Sequence, residues 1–414
     1  MNSKEFFSKS GFQETNSISL DFIQTIQNQQ EQTQFLDKLS QFQNLTNLTI
    51  ELSENGLDSS FAKLLSENIL KKNHKLAELH LYLSSNLLKS EGLQELSNGI
   101  SFCSNLNTIT LNIIKNQIDD IGVSEFGKSL SQLNSLQNLA LDFSQNNIGD
   151  DGITLFSQCI VNCKKLTSAI LRFSSNKIGN AGASSLINSL QSCPNINQLL
   201  IDLGNNILTD DGLKNLAQEN IIFSNTSSFT LNVVQNSIGK KGCQYISKGI
   251  NRMMLLEDLI LKFSHNDFGQ TGMQDLIQGV AKCQKIKNLR LYFVNSQIEE
   301  LGSYQLGQGL GKCINIEYLS LDLHNNAIGD EGAQQIGLGI QKCKNLRNLT
   351  FYLVDKSVKL KGAMNIINSL KKCNKLIQIL IGFEIKLTET QKNLIQRALL
   401  KIRKLVQKSV HIGK

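Results

Sequence analysis

Glycine recurs at a fixed interval of thirty residues through most of the chain, at Gly92, Gly122, Gly152, Gly182, Gly212, Gly242, Gly272, Gly302, Gly332 and Gly362. With glycine near 7% of an average sequence, ten consecutive hits in one phase arise by chance on the order of once in ten billion trials. The chain is therefore a tandem array. One unit of an array cannot cover its own apolar faces, so neighbours must stack into a continuous core. That constraint moves the functional expectation away from a catalytic cleft and toward an extended binding surface.

Further ladders on the same lattice define the unit. Leu76, Leu106, Leu136, Leu166, Ile196, Leu256, Ile286, Ile316, Leu346 and Leu376 open successive units, with Thr226 as the exception. Apolar pairs such as Leu139 and Leu141 follow, then a third apolar residue such as Phe143, Phe173 or Leu203. Alternation of this kind predicts a strand with one buried face. Next stands an asparagine, at Asn86, Asn116, Asn146, Asn176, Asn206, Asn236, Asn266 and Asn326. Its carboxamide offers both a donor and an acceptor, which suits a stack that satisfies backbone groups where each turn leaves the sheet. The ladder glycine follows, where positive φ or close packing would exclude a side chain. The remainder of the unit spaces apolar groups at i, i+4 and i+7, as in Ile336, Ile340 and Cys343, on one face of a helix.

The composite unit, LxxLxLxLxxNxIGDxGxxxLxxxLxxCxxL, resembles the ribonuclease-inhibitor type of leucine-rich repeat. Leu136, Leu139, Leu141, Asn146, Ile148, Gly149, Asp150, Gly152, Ile160 and Cys163 carry the resemblance within one unit. It covers about residues 45 to 385, but the strand holds one more inward residue than the family's usual spacing. The resemblance implies an α/β solenoid, a leucine-rich-repeat horseshoe with parallel strands on the concave face and helices on the convex face. Three segments follow: an N-terminal helical cap over 1–44, about eleven repeats over 45–385, and a basic amphipathic capping helix over 386–414. The first cap rests on Phe22, Ile23, Ile26, Phe35, Leu36, Leu39 and Phe42. The second opens at a Thr388 to Gln391 capping box, with Leu394, Ile395, Ala398, Leu399, Ile402, Leu405 and Val406 on one side and Lys392, Arg397, Lys401, Arg403, Lys404 and Lys408 elsewhere. A helix of this character can also bind a membrane or a partner.

Several function classes are excluded on residue grounds. A net charge of +7 over 414 residues is too even for phosphate-driven nucleic-acid binding. No run of 18 or more apolar residues offers a transmembrane span, and the first twenty residues lack the apolar stretch of a secretion signal. The usage, heavy in Asn, Gln, Lys, Ile and Leu, is similar to that of proteins from AT-rich protist genomes, ciliates among them. Seven of nine cysteines sit on the lattice, at Cys103, Cys163, Cys193, Cys283, Cys313, Cys343 and Cys373. Leu133, Phe223 and Met253 take the same slot elsewhere, so it calls for apolar volume, not metal or disulfide chemistry. Reduced thiols imply a cytoplasmic protein. Asp267, Phe268 and Gly269 imitate a kinase metal motif but fall in the Asn-x-Ile-Gly register. Gly307, Gly309, Gly311 and Lys312 imitate a phosphate loop but lie inside a predicted helix. His265 and His324 lie two units apart, about 10 Å, too far to share a metal. The expectation is a protein with no catalytic residues, metal or cofactor and no small-molecule substrate.

Function is then sought on the outward strand residues. Asp142, Arg172 and Asp202 alternate in sign along one row and are expected to pair across strands. Toward the C-terminus Arg290, Tyr292, Tyr318, Asp322, His324, Arg347 and Tyr352 bring together the residue types that dominate interface energetics. These seven are the candidate site of a scaffold that binds a protein partner on the concave face. The alternative is a regulator of a small GTPase, since Ran-type GTPase activators use the same repeat class, although their acidic tail is replaced here by a basic end.

Overall fold

The computed structural model describes residues 5–6, 15–218, 223–383, 387–400, 402 and 407–412. They fall into two compact units, Met1–Asn206 and Ile207–Lys414. The first holds seven parallel strands in chain order: β1 (Ser17–Asp21), β2 (Asn47–Glu51), β3 (Glu78–Tyr82), β4 (Thr108–Asn112), β5 (Asn138–Asp142), β6 (Ser168–Arg172) and β7 (Gln198–Asp202). The second holds β8 (Ser228–Asn232), β9 (Asp258–Lys262), β10 (Asn288–Tyr292), β11 (Tyr318–Asp322), β12 (Asn348–Leu353), β13 (Gln378–Phe383) and β14 (Gln407–Ile412). Strands alternate with helices throughout, which makes each unit an α/β repeat solenoid. The thirty-residue period is the strand register, for example Asn138 opposite Ser168 and Asn288 opposite Tyr318.

Alternation along β2 to β10 behaves as the pattern predicts. In β5, Leu139 and Leu141 are buried while Asn138, Ala140 and Asp142 face outward. The third apolar residue extends the ladder by one bond: Phe143 is fully buried and its N–H donates to the Arg172 carbonyl at 2.8 Å. Each such side chain taken from water contributes about 1.5–3 kcal/mol.

The asparagine ladder works across units. Asn146 Oδ1 accepts from the Asn116 and Ile118 N–H groups, both at 3.0 Å. Its Nδ2 donates to the Ile113 and Phe143 carbonyls, also at 3.0 Å. Two departures keep the scheme partly alive. Ser296 stands at one rung, and two rungs further on the buried Asp355, one residue off the lattice, accepts from Asn326 N at 3.2 Å and Ile328 N at 2.9 Å.

Close packing, not positive φ, explains the ladder glycines. Among the described residues the positive-φ glycines are Gly56, Gly269 and Gly329, none of them on the ladder. A Cβ on Gly152 would stand 2.5 Å from Asp120 Oδ1 and 2.6 Å from Asp120 Cα. That aspartate is needed there: Asp120 Oδ1 accepts from Gly149 N at 2.6 Å. Asp150 accepts from Gly179 N at 2.7 Å and Gly182 N at 2.8 Å, and Asp210 and Asp330 act likewise on the next units. An aspartate at the start of one helix thus caps the next helix, satisfying its free N–H groups and opposing the positive end of its dipole.

Three elements differ from the sequence reading. Residues 1–44 were expected as a helical cap, yet they contain β1, paired in register with β2, before the helix Gln29–Leu39. Ile18 and Leu20 bury and Ser17 and Ser19 face outward, so the segment is itself a strand-and-helix unit. Phe6, Phe22, Phe35 and Phe42 close it with an aromatic cluster. At the other end the capping box forms, with Thr388 N to Gln391 Oε1 at 3.0 Å and Gln391 N to Thr388 Oγ1 at 3.3 Å. The helix it opens is described over Glu389–Leu400, and Gln407–Ile412, with Lys408, is a strand paired with β13 instead of more helix. Lys401, Arg403, Lys404, Leu405 and Val406 lie outside the described residues. Finally, Asp210–Ala217 winds as a 3-10 helix where the lattice predicts α.

Candidate partner-binding face

The outward strand residues form three rows, set at the first, third and fifth positions of each strand. The fifth row has a repeated architectural use. Asn112 Oδ1 accepts from Ile114 N at 3.2 Å, Asp142 from Ser144 N at 3.2 Å, Asp202 from Gly204 N at 3.0 Å and Asn232 from Val234 N at 3.0 Å. Each side chain turns back on the backbone two residues on, as Asn and Asp do where a chain leaves a strand. This overturns the expected cross-strand pairing of Asp142, Arg172 and Asp202. Arg172 is in register with both aspartates but has no ion pair within 4.0 Å among the described residues. Glu51 at the same position also accepts from Ser53 N, at 2.9 Å, whereas at Tyr82, Arg172, Lys262, Tyr292, Tyr352 and Gly382 no such turn is made.

Three of these positions, Lys262, Tyr292 and Tyr352, fall within four consecutive strands of the second unit, β9 to β12. Register sets Lys262 opposite Tyr292, Tyr292 opposite Asp322, and Asp322 opposite Tyr352. The Lys262 ammonium lies 5.9 Å from the centre of the Tyr292 ring. On the neighbouring rows the Arg290 guanidinium lies 4.8 Å from the centre of the Tyr318 ring. Both distances are within the reach of a cation–π attraction. Ser320, opposite Arg290, is small and buried, which leaves room for the guanidinium to lie down on the sheet. Asp322 Oδ1 is engaged by His324 Nδ1 in a short contact, and the His324 ring tilts against Tyr352, centroids 6.2 Å apart. Tyr352 in turn lies across Gly382, where a Cβ would come within 2.7 Å of its Cδ1.

Six of the seven expected residues, Arg290, Tyr292, Tyr318, Asp322, His324 and Tyr352, therefore fall on neighbouring positions of β10, β11 and β12 or just past their ends. Arg347 falls apart from them. It precedes β12 at the edge where the strands begin, exposed, with Nε 3.9 Å from Glu317 Oε2. It belongs to a row of edge charges with Lys287, which reaches Glu257 Oε2 at 2.8 Å. Such exposed pairs contribute little. Lys262 was missed by the candidate set. Its signal is lattice arithmetic, since thirty residues separate it from Tyr292.

This face gathers unused hydrogen-bonding capacity on four neighbouring strands. The side chains of Arg290 and Lys262 form no hydrogen bond with any described residue, and no carboxylate oxygen of one lies within 4.0 Å of either. The hydroxyls of Tyr292, Tyr318 and Tyr352 likewise have no partner among the described residues. By contrast, the motifs that imitate catalytic signatures are used by the fold. Phe268 is buried between Phe263 and Phe293, with centroids 6.1 Å and 5.6 Å away. Gly307 sits where a Cβ would meet the Gln335 carbonyl oxygen at 2.2 Å, so it permits a helix contact. His265 bonds Asn295, and among the described residues no three His, Cys, Asp or Glu side chains converge as metal ligands. All nine cysteines are unpaired. No described helix is long and apolar enough to cross a membrane.

A leucine-rich-repeat family model matches residues 139–157, 163–186 and 319–337. Those three segments thus match leucine-rich repeats, and the third includes β11 with Asp322 and His324. No curated protein matches the chain. Among solved structures, the crystal structure of a TLR13–ssRNA13 complex is similar, with 15% sequence identity and a TM-score of 0.46. The alignment covers 96% of this chain and 44% of that one, so this chain spans less than half of the other's length.

Proposed function

We propose that this leucine-rich-repeat chain is a non-catalytic scaffold that holds a protein partner against the strand face of its second unit. The observation that supports this reading is the concentration, on β9 to β12, of three tyrosine hydroxyls, Arg290 and Lys262, whose polar groups the fold itself leaves unused. Buried interface anchors are enriched in Tyr and Arg, and a rigid sheet presents them with little ordering cost on binding. The strand-plus-helix unit supports assignment to the ribonuclease-inhibitor type. Nine unpaired cysteines support a reducing, cytoplasmic home.

The test begins with proximity labelling in the native cell to supply a partner, followed by affinity measurements on Tyr292→Ala, Tyr352→Ala and the double variant. Loss of at least tenfold in the double variant, with unchanged thermal unfolding, supports the reading; unchanged affinity removes this face from consideration. Regulation of a small GTPase is the competing reading. It demands that the chain change the GTP-hydrolysis rate of a candidate GTPase, and a rate indifferent to the chain dismisses it.

A further inference from the structure

We infer that the partner is recognised through a pair of carboxylates, taken by Arg290 and Lys262 on adjacent strands. The inference rests on the strand-face reading above and adds the chemistry of the occupant.

Both cations are set in place before any ligand arrives. Arg290 lies on the Tyr318 ring at 4.8 Å and Lys262 on the Tyr292 ring at 5.9 Å, each held by an aromatic face instead of a counter-ion. A ring face orients a guanidinium without occupying its N–H groups, so the fork of Arg290 stays open to a bidentate carboxylate. The acidic groups nearby do not compensate the two charges. Asp322 is engaged by His324, and Asp258, four residues before Lys262 on β9, lies beyond 4.0 Å of its ammonium. Lys128, Lys287 and Lys361, by contrast, each sit on a glutamate of the chain.

Spacing narrows the ligand. Lys262 is in register with Tyr292, two residues beyond Arg290 on β10. One strand step across and two residues along place the two cations' backbone positions about 8 Å apart. Acidic side chains at alternate positions of an extended segment share one side and lie about 6.6 Å apart along the chain, so such a segment reaches both. The three free tyrosine hydroxyls beside the pair would receive its backbone or polar side chains. A nucleic-acid strand fits less well. Asp258 and Asp322 flank the two cations on the same face, and a polyanion would have to pass over them.

The experiment uses the full chain and a fluorescein-labelled peptide, Gly-Tyr-Glu-Ser-Glu-Tyr-Gly, its Gln-for-Glu counterpart, and a single-stranded oligothymidine, followed by anisotropy. The expected result is binding of the acidic peptide at least tenfold tighter than the Gln peptide. Arg290→Ala with Lys262→Ala abolishes that preference. Tyr318→Phe retains it, because the ring face remains, while Tyr318→Ala weakens it several-fold. Equal affinity for the two peptides, no binding of the acidic peptide at millimolar concentration, or tighter binding of the oligothymidine overturns the inference. A labelled partner that is lost with Tyr292→Ala and Tyr352→Ala but indifferent to Arg290 and Lys262 overturns it while leaving the strand-face reading intact. A partner indifferent to all four ends both.

Discussion

Asparagine at the turn after each strand is the residue on which this architecture depends most directly. Asn146 accepts two backbone N–H groups and donates to two carbonyls, all at 3.0 Å, from a buried position. Truncation leaves those groups dry and unpaired, and each such loss costs about 1–3 kcal/mol. Asn146→Ala is therefore expected to lower the unfolding free energy by about 2–3 kcal/mol in urea titration. The adjacent Asn147 is exposed and contributes only its backbone N–H, to the Ile118 carbonyl at 2.7 Å. Asn147→Ala should stay within about 0.5 kcal/mol of the parent. Equal effects from the two would show that the carboxamide ladder is ornamental. Asp355 makes the same point from the other direction, because a carboxylate shifted by one residue still accepts both N–H groups.

Helices in this chain touch through backbone as well as side chains, and that contact is visible at Gly339. A Cβ there would meet the Gly307 carbonyl oxygen at 2.1 Å, between the helices Glu299–Leu310 and Gly329–Lys342. In a free helix Gly→Ala gains about 1 kcal/mol, but here the methyl must push two helices apart, which costs about 1–3 kcal/mol. Gly339→Ala is expected to lower the melting temperature, whereas Gly311→Ala, whose Cβ would meet only the flexible Lys342 Cδ at 2.8 Å, should not. A higher melting temperature for Gly339→Ala would contradict the close approach. The helical glycines were legible in the sequence as architecture, since they fall inside a helical stripe, but their partners were not. β1 was passed over because its apolar residues are only Ile18 and Leu20, though Ser17 stands thirty residues before Asn47 and obeys the lattice. The candidate face was legible where residue type departs from the turn-forming Asn and Asp, as at Tyr292 and Tyr352. The pairing of Lys262 with Tyr292 and the removal of Arg347 to the sheet edge needed side-chain positions. Strand membership is a matter of period, and which way a long side chain lies is not.

For the molecule as a whole, the lattice thiols make stability depend on alkaline pH. Burial pushes Cys103, Cys163, Cys313 and Cys343 from 9.0 up to about 12, and Cys193, Cys283 and Cys373 up to about 11. Each sulfur sits against a helix carbonyl, as Cys343 Sγ does with Leu310 O at 3.5 Å, and burial outweighs the opposing pull of Lys164 on Cys163 and Cys193 and of Lys344 on Cys373. The folded-state values are raised, so above pH 9 the unfolded chain releases protons that the folded chain keeps. More protons are then bound in the native state, and unfolding free energy falls as pH rises, by up to about 1.4 kcal/mol per pH unit for each thiol. The contribution is fully present below pH 9 and is lost progressively toward pH 11 to 12. Lysines and tyrosines also titrate there, so the thiol part is isolated by difference. Cys343→Val keeps an apolar group in the slot but removes one titrating site. Its urea midpoint should change little at pH 7.5, and its loss of stability between pH 8.5 and 10.5 should be smaller than the parent's by about 1–2 kcal/mol. In the folded chain at pH 8 the seven lattice thiols should react with a disulfide reagent only as fast as the chain opens, and in urea all nine should react at once. Rapid labelling of the folded protein at these positions would show that the slots admit solvent and that the array is looser than its burial implies.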